Sequence, residues 1–426
     1  MPTIAAVTLG CKVNAYDTQA MLEQFQRAGY EYADFDSDAD IYLINTCTVT
    51  GTGDHKSLKL IRRVHREHPD ADIIAAGCLS QISPESVALE GVRLIIGAAN
   101  RSKVVELYRQ ALGQDAPLDA TVSLKGLEFE PLSTTCQEGR TRAAMKIQEG
   151  CDRYCSYCII PFARGPVRSM RLDDVREEAR RLKLAGYKEA VITGIHLMSY
   201  GKDTGESLLD AIKLVSEEIG RVRLGSLEPK GITPEFTQGL RGIKGLCPQF
   251  HLSLQSGSDT VLKRMNRRYT AQEYLEACEL LRAAFPLCAV TTDVITGFPG
   301  ETEAEFKETC AFVQEARLAR LHVFPYSRRR GTRADSLPDQ LTETVKRDRA
   351  RRLIEIGNKL EEDYVKSLEG SEVEVLFETR TGENECEGYS GSYVRVRAEA
   401  EPGDIKAVRL ERAEGTVIYG KAAKED

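Results

Sequence analysis

The stretch CDRYCSYC, residues 151–158, decides how this chain is read. It sets Cys151, Cys155 and Cys158 in a Cys-x3-Cys-x2-Cys spacing within one short loop. RAAMKIQ (142–148), just before it, reads as a buried strand. LDDVREEARRLKLAGY, after Arg171, has helical spacing, with Leu172, Val175, Ala179, Leu182 and Leu184 on one face. The triplet therefore sits at the mouth of a βα unit, where a strand hands over to a helix. Thiolates this close are soft ligands, suited to iron–sulfur clusters or zinc. A structural zinc takes four ligands, and no fourth Cys or His lies nearby, the next histidine being His196. A cubane cluster usually takes four Cys, so three would leave one iron open to a substrate or cofactor. The bland alternatives are buried free cysteines, or a zinc knuckle completed by a distant residue.

Working outward, residues 1–115 alternate strand and helix. IAAVTLG (4–10), DIYLINTC (40–47), DIIAAGC (72–78) and RLIIGA (93–98) read as strands. Helices are expected from about 16 to 28, at 56–67, near 84–89 and at 103–112. Repeated βα units predict an open parallel sheet with helices on both faces. Cys11, Cys47 and Cys78 each end one of these strands. Ligands bind outside the carboxyl ends of strands in open α/β sheets, so three thiols distant in sequence can converge on one point. That makes a second three-cysteine cluster site. The competing reading is three small apolar residues at strand ends, since free Cys is often buried.

Residues 116–140 lack periodicity and read as a linker. A second βα series follows over 141–340, with strands at 142–148, 189–194, 222–228, 250–254, 288–296 and 321–326. Six βα units predict a partial (β/α)6 barrel, open on one side, whose site lies at the C-terminal strand ends. Residues 341–366 read as a connecting helix. From 367 to 426 the texture changes to short alternating strands with glycine-rich turns, which predicts a small, OB-like β-barrel.

Composition bounds the function. No apolar run approaches the roughly 18–20 residues of a membrane span, and MPTIAAVTLGC has no basic segment followed by an apolar core. Twelve cysteines without a secretion signal favour metal binding over disulfides, and hence a reducing cytoplasm. The net charge of −7 gives no bulk attraction to nucleic acid, so any RNA contact must use local basic patches. Cys136, Cys247, Cys278, Cys288, Cys310 and Cys386 read as incidental or core residues.

Tyr157 before the last loop cysteine completes a pattern that resembles the cluster loop of the radical S-adenosylmethionine (SAM) superfamily. TLGCKVNAYDT (8–18), NTCTVT (45–50), AGCLSQ (76–81), EGCDRYCSYCIIPFARGPVRS (149–169), HLSLQSGS (251–258) and TDVITGFPGETE (292–303) extend the resemblance over nearly the whole chain. Together they resemble the methylthiotransferase family of radical SAM enzymes, whose terminal domain is a TRAM barrel. GCKVN and NTCTVT are most similar to the branch acting on N6-threonylcarbamoyladenosine at tRNA position 37. The sibling branches act on isopentenyladenosine-37 of tRNA, with a GCQMN-like start, or on a ribosomal protein, with a GCPKN-like start.

The resemblance implies the chemistry. Cys151, Cys155 and Cys158 would hold a [4Fe–4S] cluster whose open iron chelates SAM and whose electron yields methionine and a 5′-deoxyadenosyl radical. That radical would take the hydrogen from C2 of adenine. A second [4Fe–4S] cluster on Cys11, Cys47 and Cys78 would supply sulfur, methylated by a second SAM. Implied partners are tRNA at its anticodon loop, an electron donor such as a flavodoxin or ferredoxin, and a sulfur donor, with no membrane. Tyr157, Thr193, Gly194, Glu228, Gln255 and Gly297 are the expected SAM contacts, each also readable as a loop or packing residue. His196 and His251 read as structural. Arg328, Arg329, Arg330 and Arg333, and Lys263, Arg264, Arg267 and Arg268, are expected at RNA phosphates, or else are solvated surface runs. Residues 367–426 carry 14 acidic and 8 basic side chains, an awkward balance for gripping RNA and a motive for a protein substrate.

Overall fold

The computed structural model describes residues 1–135 and 141–422. The first third alternates as expected. β1 (Thr3–Thr8), α1 (Lys12–Arg27), β2 (Glu31–Ala33), β3 (Ile41–Thr46), α2 (Gly51–Glu67), β4 (Asp72–Gly77), α3 (Cys78–Ile82), α4 (Pro84–Val87), β5 (Val92–Ile96), α5 (Val104–Ala111) and β6 (Leu118–Asp119) follow in order. The sheet runs β2-β1-β3-β4-β5-β6, with every pairing parallel. β3 is buried along its whole length, as a strand covered on both faces must be. Met21, Phe25, Val104 and Tyr108 pack one face of the sheet. Ile61, Val64, Leu79 and Val87 pack the other. Strand order reverses between β1 and β3, so Cys11 and Cys47 flank the switch point where such sheets bind ligands.

The expected linker is not loose. Its β6 extends the sheet, Leu124 packs on Ala98 and Ala99, and Leu132 packs on Tyr16 and Ala20. Of the segment 116–140, residues 136–140, Cys136 among them, lie outside the described residues.

The middle series begins with β7 (Arg142–Glu149), α6 (Ile160–Arg164), β8 (Arg168–Ser169), α7 (Leu172–Leu184), β9 (Glu189–Gly194) and α8 (Leu208–Ile219). It continues with β10 (Val222–Leu224), β11 (Ser226–Leu227), α9 (Pro234–Arg241), β12 (Gln249–Leu252), α10 (Asp259–Arg264), α11 (Ala271–Ala284), β13 (Ala289–Thr296), α12 (Glu303–Glu315) and β14 (Arg320–Pro325). The third barrel strand is split at Gly225: β10 pairs with β9, and β11 pairs with β12. The six-strand wall β7-β9-β10/β11-β12-β13-β14 is parallel. Alternation along β7 sends Ala143, Met145 and Ile147 into the main core, and puts Lys146 and Gln148 on the opposite face. On α7 the expected stripe is corrected at one end: Leu184 is 88% exposed, while Glu178 is buried in its place.

α13 (Glu343–Ser367) leads into β15 (Glu372–Arg380), β16 (Glu385–Ser390), β17 (Arg395–Glu399), β18 (Ile405–Glu414) and β19 (Val417–Ala422). They close into a barrel in the order β15-β16-β17-β19-β18. β16 (ECEGYS) was not expected, because its alternate residues carry charge and little bulk. The barrel docks on the N-terminal ends of β7, β9 and β10. Arg142 pairs with Glu378 at 2.8 Å and lies over the Tyr389 and Tyr393 rings. Arg221 pairs with Glu374, and Arg223 donates to the carbonyls of Gly391 and Ser390 at 2.7 and 3.1 Å. Glu189, fully buried, joins both arginines; burial opposes its charge, but Arg223 and Arg221 hold its carboxyl down at about 2. Part of the terminal barrel's acidity is therefore spent on docking to this end.

Candidate functional site

The loop triplet hangs from the C-terminal end of β7. Gly150 adopts φ 74°, and a side chain there would strike the Pro166 carbonyl, so the turn into Cys151 requires glycine. The Cys151 amide donates to Gly165 O at 3.0 Å, and the Cys158 amide to Cys155 O at 2.9 Å. Arg267 Nη1 lies 3.2 Å from Cys155 Sγ. Burial pushes the Cys151 thiol up to about 11 and Cys158 to about 12. Behind them, Glu228 is tied to Arg153 at 2.5 Å, His196 at 3.3 Å and Arg267 at 3.7 Å. Burial would raise its pKa, but the His196 and arginine contacts hold it at about 2. His196 thus supports Glu228, in keeping with a structural role.

The second triplet assembles at the carboxyl ends of β1, β3 and β4. Asn14, one turn into α1, donates to Leu9 O at 2.8 Å and Thr46 O at 3.0 Å, pinning two strand ends together. Its Oδ1 is 3.9 Å from Cys78 Sγ. Gly10, just before Cys11, abuts Cys47: a Cβ on it would stand 2.8 Å from Cys47 Sγ. Gly77 adopts φ 100°, and a Cβ there would meet Asn45 and Thr46 within 2.5 Å. The three thiols are near enough to act on one another: Cys11 adds to the burial that raises Cys47, and Cys78 is pushed up to about 11 by burial against the pull of Arg164.

The interface between the two triplets is a buried ionic network that sequence reading missed. Asp17, Arg101, Lys146, Glu149, Arg164 and Arg168 are each at most 2% exposed. Lys146 meets Asp17 at 2.5 Å, Arg101 meets Glu149 at 2.8 Å and Glu130 at 3.1 Å, and Arg164 meets Asp17 at 2.8 Å. Arg164 also bonds Glu149 and Asn14, and its Nε lies 3.2 Å from Cys78 Sγ. The one hint in the sequence was a lysine inside a strand read as buried.

Both donor sets fit an iron–sulfur group. Each offers three soft thiols and an N–H donor aimed at one sulfur, the kind of contact that tunes such groups. Among the described residues, no three His, Cys, Asp or Glu side chains converge closely enough to clasp a single ion.

The remaining expected residues divide. Thr193 and Gly194 end β9, where Gly194 packs on Gln148. Gln255 is buried with φ 71°, its backbone bonded to Asp293 O and Ile295 N at 2.8 and 2.9 Å. Tyr157 packs against a cluster of Val261, Met265, Phe298 and Tyr326. Gly297 lies against Lys346 and donates to Glu301 at 2.7 Å, which is a packing environment. His251 accepts or donates at Thr291 Oγ1, 3.1 Å away.

Among the arginines three expectations are corrected, Arg267 being held at Cys155 and Glu228. Arg329 is 7% exposed and bonds Asp54 and Thr48, so it ties β14's loop to the N-terminal sheet. Arg264 is held by both oxygens of Glu305, at 2.8 and 2.9 Å. Arg328 is exposed but paired with Asp335 at 2.6 Å. Arg330, Arg333, Lys263 and Arg268 are exposed.

A cavity of about 290 Å³ opens beside β7 and β9, lined by Lys12, Arg142, Ala144, Val191, Glu378 and Tyr393. Near the cysteine loop, Tyr154 and Phe162 are 55% and 57% exposed, with their rings edge-to-face at 6.0 Å.

Comparison with known proteins bears on all of this. Residues 145–313 match the Radical SAM superfamily, and residues 3–97 match a family described as Uncharacterized protein family UPF0004. The chain is 43% identical over 406 residues to the threonylcarbamoyladenosine tRNA methylthiotransferase MtaB of Bacillus subtilis, covering 93% of this chain and 90% of that one. It is 35% identical over 389 residues to a tRNA-2-methylthio-N(6)-dimethylallyladenosine synthase of a Thermoanaerobacter species, covering 87% and 81%. The radical SAM methyltransferase TsrM of Kitasatospora setae has a similar fold, with TM-score 0.55 at 14% identity over 76% of this chain and 73% of that chain.

Proposed function

Since the chain belongs to the radical SAM methylthiotransferase family, whose members use SAM and a [4Fe–4S] cluster, we propose that it converts N6-threonylcarbamoyladenosine at position 37 of tRNA to the 2-methylthio derivative. The observation that carries this reading is the meeting of two cysteine triplets across one interface, with Arg164, which closes the helix after Cys158, bonded to Cys78. Cys151, Cys155 and Cys158 would hold the cluster that supplies reductive cleavage of SAM, and Cys11, Cys47 and Cys78 a second that supplies sulfur.

The chain's own residues do the rest. Glu228 stays ionised far below neutrality and offers a fixed acceptor to the ribose or methionyl amine of SAM. Gln148 and the backbone of Thr193 and Gly194 shape the rim beside it. Tyr154 and Phe162 present faces on which RNA bases can stack, and Arg330, Arg333, Lys263 and Arg268 suit phosphates. The threonylcarbamoyl group ends in a carboxylate, and Lys12, exposed next to Cys11, is a cation suited to meet it. An isopentenyl group would make no use of that cation. The acidic terminal barrel spends Glu374 and Glu378 on docking, which weakens the motive for a ribosomal-protein substrate. A flavodoxin or ferredoxin as electron donor, and a separate sulfur donor, complete the scheme.

The test is anaerobic incubation of reconstituted protein with SAM, reductant and two tRNA pools, one bearing threonylcarbamoyladenosine and one isopentenyladenosine. Mass spectrometry of digested RNA should find the methylthio gain in the first pool alone. A gain only in the second pool would transfer the assignment to the sibling branch.

A further inference from the structure

Arg164 is the point at which the segment following the Cys151 loop touches the strand-end triplet. It ends α6, six residues after Cys158, and its side chain crosses into the N-terminal sheet. One guanidinium serves four partners there: Asp17, Glu149, Asn14 and the sulfur of Cys78. At 1% exposure these contacts act in a medium of low dielectric, and a guanidinium does not shed its charge. The network around it holds three carboxylates (Asp17, Glu130, Glu149) against four cations (Arg101, Lys146, Arg164, Arg168). Arg164 places a fixed positive charge beside the strand-end thiols, and it is the member whose N–H reaches one.

Reduction of an iron–sulfur group adds negative charge to its sulfurs. A fixed cation and an N–H···S bond favour the reduced form and raise the potential. We propose that Arg164 is a positioning residue for the sulfur-supplying site, setting the reduction potential of the group held by Cys11, Cys47 and Cys78 while fixing that site against the Cys151 loop. This rests on the reading that those three cysteines hold a cluster.

The experiment uses the full chain carrying Cys151→Ala, Cys155→Ala and Cys158→Ala, so that the strand-end site alone binds iron and sulfide on anaerobic reconstitution. A redox titration is followed by electron paramagnetic resonance. Adding Arg164→Met is expected to shift the potential negative, and Arg164→Lys, which keeps the charge, to recover most of that shift. Arg101→Lys disturbs the same carboxylates without touching a thiol and is expected to leave the potential in place. If Arg164→Met fails to fold, the Arg164→Lys and Arg101→Lys pair decides: a changed signal shape in the first alone supports the proposal. An unmoved potential in Arg164→Met, or equal shifts in the Arg164 and Arg101 variants, overturns it. No iron bound in the triple-alanine background would overturn the second-cluster reading and this inference together. Iron bound with an unmoved potential would overturn the inference alone.

Discussion

The two cysteine triplets present the same donor atoms by opposite routes. One is local: Cys151, Cys155 and Cys158 share a loop, held by its own backbone bonds and by Arg267 from the same barrel. The other is assembled from three strand ends between residues 11 and 78, pinned by Asn14 and met by Arg164 from another part of the chain. Each has one arginine N–H at 3.2 Å from one sulfur. The loop site should therefore depend on a short segment, and the strand-end site on sheet register and on a buried interface.

The largest expected effect is at the loop. Cys151→Ala should abolish SAM cleavage, read as loss of 5′-deoxyadenosine by chromatography, and with it all product. Retained cleavage would remove Cys151 from the ligand set.

Next comes the interface. Asp17→Ala leaves Lys146, Arg101 and Arg164 short of a counter-charge in a dry setting. Breaking such a buried pair costs about 3–5 kcal/mol. Denaturant unfolding should show the loss, and iron analysis should show the strand-end site emptying before the loop site. Equal loss from both would erase the distinction between a local and an assembled site.

These residues also mark what could be read in advance. Most strands, the partial barrel and both candidate cysteine triplets were legible, because strand-end position and close spacing are written locally. Arg164, Asp17 and Glu149 were not: each looks like an ordinary surface charge until three distant segments bury it. Arg329 sits in a run of three arginines, and only packing against Asp54 distinguishes it from its exposed neighbour Arg330. Leu184 erred the other way, helical in spacing but beyond the contact. β16 was hidden by charged residues on the outside of a barrel whose inward positions are small.

A third prediction concerns the docked barrel. Glu189 has its carboxyl depressed from 4.5 to about 2 by Arg223 and Arg221, against the opposing effect of burial. A depressed carboxyl stabilises the fold above the unfolded value and loses that contribution as pH falls through the folded one. Acidification from about 4.5 toward about 2 should loosen the terminal barrel, seen as faster limited proteolysis near residue 370 by an acid-active protease. Unchanged cleavage across that window would free the docking from Glu189.

The smallest effect is at the substrate. Lys12→Gln removes the cation next in sequence to Cys11. A hydrogen bond to a charged group is worth about 1.5–3 kcal/mol, so kcat/KM on threonylcarbamoyladenosine tRNA should fall roughly 10- to 100-fold, with SAM cleavage less affected. An equal fall in both would place Lys12 at the chemistry instead of the substituent.

The most direct measurement of the division between the triplets uses Cys11→Ala, Cys47→Ala and Cys78→Ala together in the full chain. With SAM, reductant and threonylcarbamoyladenosine tRNA, the assay counts 5′-deoxyadenosine and methylthio product in one sample. The account predicts that 5′-deoxyadenosine still forms while methylthio product is absent. Methylthio product from that variant, or loss of SAM cleavage along with it, would contradict the account.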